Sequence, residues 1–134
     1  MAKRDNHYEA AFEEYLLGGS WLVDVKGRWF PSGEHKRYWK NWSTQDDVWS
    51  LSEWERLFGQ RFRGLLVFAY NIVGDRAPLP PDRLFEFRDH LYGFVAIPLR
   101  DYASHARSIS SRWNTVAMPA ARFRSLAAPV DSLL

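Results

Sequence analysis

The sequence predicts a single α/β domain in which helices pack on a mixed central β-sheet. The chain has 134 residues, of which 46% are hydrophobic and 16% aromatic, and this composition is sufficient for one packed core. The run FRGLLVFAYNIV, from Phe62 to Val73, is almost entirely apolar, which is typical of a strand covered on both faces of a sheet. Apolar residues at helical spacing occur before and after this run in the sequence, so helices should flank the sheet.

The first predicted helix lies at DNHYEAAFEEYLL. Tyr8, Phe12 and Tyr15 recur there at helical spacing, and Asn6 is a suitable N-cap. A Gly-Gly pair then ends the helix, and the next element follows almost at once.

That next element, WLVDVKGRWF at residues 21–30, predicts a strand with two opposite charges at its centre. Because successive side chains of a strand point to opposite faces, Asp24 and Lys26 share one face and Val23 and Val25 share the other. One interpretation is a half-buried edge strand whose charges pair with each other or with solvent. The other is chemical, since a carboxylate can ligate a divalent metal and a neighbouring ammonium can steady a water nucleophile or a phosphate oxygen, as in metal-assisted phosphodiester hydrolysis.

A polar, basic and aromatic loop is predicted from Ser32 to Trp42, before a second helix. Thr44 can cap that helix with Asp47 three residues on, and Gly59 should end it. The residues expected on its inner face are Val48, Leu51, Trp54 and Phe58.

Shorter elements complete the domain. LFEFR and YGFVAI predict a hairpin around Asp89 to Leu91, and Pro98 closes it. We expect a short helix at LRDYASHA, an exposed loop at SISSR, a last strand at WNTVAMP and a final helix at AARFRSLA. The domain therefore spans residues 1–128, and the C-terminal tail, residues 129–134, should fray from Pro129 onward.

Several classes of protein are excluded or disfavoured by composition. The absence of cysteine excludes disulfides, thiolate zinc sites and a cysteine nucleophile, and the scattered histidines do not have metal-ligand spacing. The formal net charge is only +2, so nucleic acid would not be bound through overall charge alone. The longest apolar run is too short to cross a bilayer, and we expect a soluble, cytoplasmic protein without a membrane partner.

The order of these motifs resembles a known group of nucleases. A helix, a D-x-K strand, a basic loop, a helix, a buried strand and a hairpin are similar to the PD-(D/E)xK nuclease superfamily, and within it to the archaeal type of Holliday junction resolvase. HYEAAFE, from His7 to Glu13, resembles the name-giving motif of the bacterial HYExAFE family. DVKGR, NWSTQDDV and FRGLLVFAY follow in order, so the resemblance extends from His7 to Leu126.

This resemblance implies roles for individual residues. It makes Asp24 a metal ligand, Lys26 the lysine that positions the attacking water, and Glu9 the acid of the first helix that also ligates metal. Asn6 and Glu9 have equally the spacing of a capping box, so a purely structural role for Glu9 stays open. The implied cofactor is Mg²⁺ or Mn²⁺.

The chain departs from the family pattern at one place. Family members carry a hairpin before the D-x-K strand that supplies a further aspartate, and the segment from Leu17 to Trp21 has no room for it. The sequence therefore predicts a restriction-endonuclease-like core without its first hairpin. We expect the metal to be weakly bound or absent, and an uncovered sheet edge beside Asp24 that favours association, with a homodimer as one outcome.

The loop from His35 to Trp42 mixes cations with aromatic rings. The candidates for nucleic-acid contact there are Lys36, Arg37, Lys40, Trp39 and Trp42, because cations bind phosphates and rings stack on unpaired bases. The alternative is a solvated loop whose aromatic residues pack against the sheet.

Two functional hypotheses follow. The first is a Mg²⁺-dependent nuclease-like domain that hydrolyses DNA phosphodiester bonds, in branched or structured DNA. The second is a catalytically inactive, truncated nuclease-fold module that acts in DNA or protein binding.

Overall fold

A computed structural model of the chain describes residues 20–59 and 61–134. The helix predicted at DNHYEAAFEEYLL lies outside the described residues, and so does Glu9. The described elements, in chain order, are the strands and helices β1 (Ser20–Phe30), β2 (Ser43–Thr44), α1 (Gln45–Phe58), β3 (Phe62–Ile72), β4 (Phe85–Phe87), β5 (His90–Pro98), α2 (Leu99–His105), β6 (Arg107–Ser110), β7 (Thr115–Ala117), α3 (Ala120–Leu126) and β8 (Ala128–Pro129). Short 3-10 turns occur at Pro81–Arg83 and Val130–Ser132.

The main sheet is five-stranded and mixed. Its order is β1-β3-β5-β4, with β8 paired to β5. β1 and β3 are parallel, with Ser20 opposite Phe62 and Phe30 opposite Ile72, whereas β3 and β5 are antiparallel. A second sheet of three strands has the order β2-β7-β6. For the described residues, the predicted α/β fold with a mixed sheet and packed helices is therefore confirmed.

β3 is central and buried, as its apolar run predicts. β1 lies on one side of it and β5 on the other, and the side chains from Leu65 to Phe68 are buried. β1 is the last strand on its side of the sheet among the described residues.

Helix α1 connects the two parallel strands β1 and β3. The Thr44 side chain accepts a hydrogen bond from the Asp47 amide at 3.1 Å, which is the predicted cap, and Gly59 ends the helix with a positive φ of 90°. At Gly64 of β3 an added Cβ would lie 3.0 Å from Leu51 Cγ and from Leu99 Cβ, so glycine permits the close approach of α1 and α2.

The prediction of which residues form the inner face of α1 is only half correct. Val48 and Leu51 are buried, but Trp54 and Phe58 are about half exposed. These two rings pack against each other, with centroids 5.5 Å apart, and Phe58 also contacts Phe62. The C-terminal half of α1 therefore extends past the buried part of the sheet.

The three described helices cover one face of the main sheet. The larger core forms there, where Leu66 and Phe68 of β3 pack with Leu51, Tyr102 and Phe123 from the helices. A smaller core lies on the opposite face, around Leu65, Val67 and Ala96.

Two expectations about the C-terminal third are wrong. The tail is not frayed: β8 pairs with β5, and the indole N–H of Trp21 donates to the Leu133 carbonyl at 3.2 Å, because Val130 and Leu133 complete the smaller core. The segment SISSR is not wholly a loop. β6 pairs with β7 there, with a register shift between Ser108 and Ser110, so its polar residues lie on a narrow, exposed sheet.

None of the helices in residues 20–59 and 61–134 is long and apolar enough to cross a membrane.

Candidate functional site

The charges of β1 lie on the face of the sheet that the helices cover. Alternation along the strand places Asp24, Lys26 and Arg28 on this face together with Phe30, which is buried in the larger core. Lys26 is only 8% exposed. A lysine this deeply buried needs charged partners, because burial of an unpaired ammonium costs several kcal/mol, on the order of 5 or more.

Lys26 has two such partners, one from each neighbouring element. Its Nζ lies 3.1 Å from Asp24 Oδ2 on the same strand and 2.7 Å from Asp47 Oδ2 on α1. The Asp24 and Asp47 side chains are 31% and 50% exposed. The cluster therefore has a buried cation at its base and two carboxylates that reach solvent.

Local structure explains why Asp47 is beside β1. Thr44 fixes the first turn of α1, and Asp47 is the residue whose amide it caps. Asp46, the neighbouring acid, points elsewhere and accepts a hydrogen bond from Asn114 Nδ2 at 3.2 Å. Only one of two adjacent aspartates is thus directed at Lys26.

The electrostatics of Asp47 follow from this contact. The hydrogen bond from Lys26 lowers the pKa of the Asp47 carboxyl below its usual value, and the charge of Lys26 acts in the same direction. Asp47 therefore stays ionised at neutral pH and holds Lys26 in place.

Arg28 continues the charged row. Its guanidinium donates through Nη1 to the Gly27 carbonyl at 2.7 Å and through Nη2 to the Trp42 carbonyl. The same group lies over the Trp42 ring, with Cζ 4.0 Å from the centroid. Burial lowers the pKa of Arg28, and its Nε is buried without a hydrogen-bond partner in the described part of the chain.

The predicted nucleic-acid loop separates into exposed and packed residues. Lys36 and Arg37 are exposed, and Lys40 is half-buried. Trp39 lies against the core, with its ring 5.4 Å from Phe30. The structure thus presents the cations of the loop to solvent while using the Trp39 ring mainly in packing, and nucleic-acid contact by this loop stays a prediction.

The end of the loop is anchored by buried polar groups. Asn41 accepts a hydrogen bond from the Met118 amide at 2.7 Å and donates to the Met118 carbonyl at 3.0 Å. The hydroxyls of Tyr70 and Tyr102 donate to the carbonyls of Lys40 and Asn41, at 2.7 and 2.6 Å. Burial raises the pKa of both tyrosines, so each stays a neutral hydrogen-bond donor.

The carboxylates can be compared with what a divalent cation requires. Mg²⁺ is commonly held by one or two carboxylates together with water and substrate oxygens. Asp24 and Asp47 fit this minimum, but Lys26 already takes one oxygen of each. Among residues 20–59 and 61–134 no group of three or more histidine and acidic side chains could hold a metal, so these residues fit only a weak site.

Sequence reasoning missed two members of this cluster. Arg28 could have been found, because it continues the alternation of Asp24 and Lys26 along one face of β1. The spacing of Asp47 from Thr44 indicates only a helix cap, and the sequence contains no signal that distinguishes Asp47 from Asp46 as the partner of Lys26.

Comparison of the chain with protein-family models, curated proteins and solved structures finds no match. Functional inference therefore depends on the residues of the cluster and the surfaces around it.

Proposed function

We propose that this chain is a nuclease-like domain that uses Asp24, Lys26 and a weakly held Mg²⁺ or Mn²⁺ to hydrolyse phosphodiester bonds of DNA. The observation that carries the proposal is the contact of Lys26 with a carboxylate of its own strand and with Asp47 of α1. A buried cation beside solvent-accessible carboxylates is more than an edge strand requires for folding, since an apolar residue at position 26 would avoid the desolvation cost.

The topology around the cluster supports the assignment to a restriction-endonuclease-like core. β1 and β3 are parallel and α1 connects them, so the D-x-K strand is followed by a helix and a parallel, buried strand. This is the order that the sequence resemblance to the PD-(D/E)xK superfamily implies, and β1 as the end strand of the described sheet agrees with a core that lacks its first hairpin.

Each residue of the cluster has a role in the proposal. Asp24 and Asp47 hold the metal, and Glu9, which lies outside the described residues, is a further candidate ligand. When bound, the metal supplies Lewis-acid stabilisation of charge on the phosphate oxygens. Lys26 orients the attacking water or a phosphate oxygen, which requires its ammonium to leave one of its two carboxylates.

A specific observation also favours a second function. The described residues provide only two carboxylates at Lys26, and both are engaged by its ammonium. A closed ion-pair cluster of this kind is sufficient to hold α1 on β1 without chemistry. The second candidate is therefore an inactive module that retains the nuclease fold and binds DNA or protein.

A cleavage assay separates the two functions. Purified protein is incubated with linear, single-stranded and four-way-junction DNA, with Mg²⁺ or Mn²⁺ and in a parallel reaction with chelator. We expect metal-dependent cleavage that Asp24→Asn and Lys26→Ala each lower by about 100-fold or more. The matched control is Glu53→Gln, which breaks an exposed 2.8 Å ion pair with Arg56 far along α1 and should retain full activity. Full activity in either site variant would overturn the site assignment, and no cleavage of any substrate would favour the inactive module.

DNA binding by the loop is tested separately. Replacing Lys36, Arg37 and Lys40 with alanine should weaken DNA binding and lower the dependence of the affinity on salt, because fewer counterions are released. Fluorescence anisotropy at several salt concentrations measures both quantities. An unchanged affinity together with an unchanged salt slope would mean that these cations are solvated surface only.

A further inference from the structure

A groove beside the charged cluster carries an aromatic surface that the proposed catalytic residues do not use. Two pockets, of about 450 and 230 Å³, are neighbours, because Trp42 and Ile109 line both of them, and we call the surface that they form together the groove. The larger is also lined by Trp113, and the smaller by Arg37 and Lys40 of the basic loop. The groove therefore leads from an apolar, aromatic end to a cationic end.

Trp113 is the most unusual residue of this groove. It is 68% exposed at the tip of the turn between β6 and β7, although an exposed indole contributes little to folding. The turn is nevertheless fixed, because the Trp113 amide donates to Ser110 Oγ at 3.1 Å and the Asn114 carbonyl accepts from the Gln45 amide at 2.7 Å. A large ring is thus held out toward solvent by a well-bonded turn, so a ligand can reach it without rearrangement of the turn.

Cations accompany both tryptophans. The Arg28 guanidinium lies 4.0 Å from the centre of the Trp42 ring, and that of Arg112 lies 5.2 Å from the centre of the Trp113 ring. Asp47 is paired with the ammonium of Lys26, whereas Asp46 accepts only from the neutral amide of Asn114 and keeps its negative charge. Arg37 and Lys40 are the charged residues that line the two pockets, so their end of the groove is positive and complements a phosphate backbone.

We propose that this groove binds single-stranded or locally unpaired nucleic acid, with an exposed base stacked on Trp113 and Trp42 and the following phosphates on Arg37 and Lys40. This inference rests on the proposed function, which gives nucleic acid as the class of ligand. It adds a preference for unpaired over fully paired strands. A base inside a duplex has no free face for an indole, whereas an unpaired base does. Ring and cation together favour nucleic acid over an apolar peptide, which would offer Arg37 and Lys40 no anionic partner.

The groove also connects to the proposed site of cleavage. Thr44, which lines the larger pocket, caps the turn that directs Asp47 at Lys26, and Arg28 links the Trp42 carbonyl to the strand that carries Asp24. Two hydrogen bonds therefore join the elements that form the groove to those that carry the charged cluster.

The test measures binding without cleavage. A fluorescent oligothymidylate of roughly 12 nucleotides, a duplex of the same length and an oligonucleotide of the same length without bases are titrated in chelator, so that hydrolysis does not contribute. We expect tighter binding of the single strand than of the duplex. Trp113→Ala should weaken single-strand binding by roughly 5- to 100-fold with an unchanged salt slope, as expected for the loss of one stacked base.

Three controls make the result specific. Trp113→Phe should restore most of the affinity, because a phenyl ring still stacks. Trp49→Ala removes an indole that is 64% exposed on α1 outside the groove and should change affinity less than about twofold. The oligonucleotide without bases should bind wild type and Trp113→Ala equally.

Failure of this inference differs from failure of the proposed function. Equal affinity of wild type and Trp113→Ala for the single strand would overturn the groove assignment and leave an apolar peptide as its ligand, even if the protein cleaves DNA. Preferential, Trp113-dependent binding of the single strand by a protein that cleaves nothing would support the groove and contradict the nuclease.

Discussion

The two faces of β1 differ in a way that is the reverse of an ordinary amphipathic strand. The face that the helices cover carries Asp24, Lys26 and Arg28, whereas Val25 on the opposite face is 60% exposed and Val23 and Trp29 are about half exposed. A strand with one solvated face normally directs its apolar residues to the core and its charges to water. Charges held on the covered side need a dedicated set of partners, and Asp47 and the Trp42 carbonyl supply them. The covered face of β1 thus combines its charges with Leu22 and Phe30 of the larger core, while the opposite face contributes Trp21 to the smaller core and leaves Val25 exposed.

The largest expected effect is a loss of protein stability, which should differ between substitutions on the two faces of the sheet. Phe68 lies opposite Lys26 in the register of β1 and β3 and is fully buried. Phe68→Ala should lower the free energy of unfolding by about 3–5 kcal/mol, because it leaves a cavity under the charged cluster. Val25→Ala, on the other face of the adjacent strand, should cost less than about 1 kcal/mol. Urea denaturation measures the free energy of unfolding of both variants. Equal losses would show that Val25 is as well packed in the folded protein as Phe68.

A smaller loss of stability is expected when the pH is lowered. Because Lys26 lowers the pKa of Asp47 in the folded state, the folded protein binds this proton less readily than the unfolded chain does. The resulting stabilisation is complete at neutral pH and is lost as pH falls below about 4, through the lowered pKa. It should amount to less than about 1 kcal/mol, because Asp47 is half exposed.

Comparing wild type with Asp47→Asn isolates this contribution. Urea midpoints measured between about pH 3 and 7 should converge for the two proteins at the acidic end, where the carboxyl of the wild type is protonated. A constant difference across this range would mean that Asp47 acts through packing or through its helix cap and not through its charge.

Much of the fold was predictable because local signals agreed with the tertiary structure. The run from Phe62 to Val73 contains the central strand β3, and Thr44 and Gly59 bound α1. The predicted hairpin is formed by β4 and β5, but its turn lies at Arg88 and Asp89, with positive φ values of 50° and 65°, and not at Asp89 to Leu91. The tail was not predictable in this way, since Val130 and Leu133 are ordered by a sheet face far away in sequence.

The candidate site was predictable only in part. Alternation along β1 places Asp24 and Lys26 together, because it is a local property of the strand. The approach of Asp47 depends on how α1 crosses the sheet, and the groove depends on β7 bringing Trp113 near Trp42, with Thr115 of β7 opposite Thr44. Both are long-range contacts that no spacing in the sequence specifies.

Calorimetric titration of Mn²⁺ tests the central claim most directly, namely that the charged face of β1 is a metal-dependent site. We expect weak binding by the wild type, with a dissociation constant on the order of 1 mM, because Lys26 competes for the oxygens of Asp24 and Asp47. Asp24→Asn should abolish it, Glu53→Gln should not change it, and Lys26→Met should tighten it, since both carboxylates are then free. Binding that is unaffected by Asp24→Asn, or absent from both the wild type and Lys26→Met, would contradict the account and leave the cluster as an ion pair that joins α1 to β1.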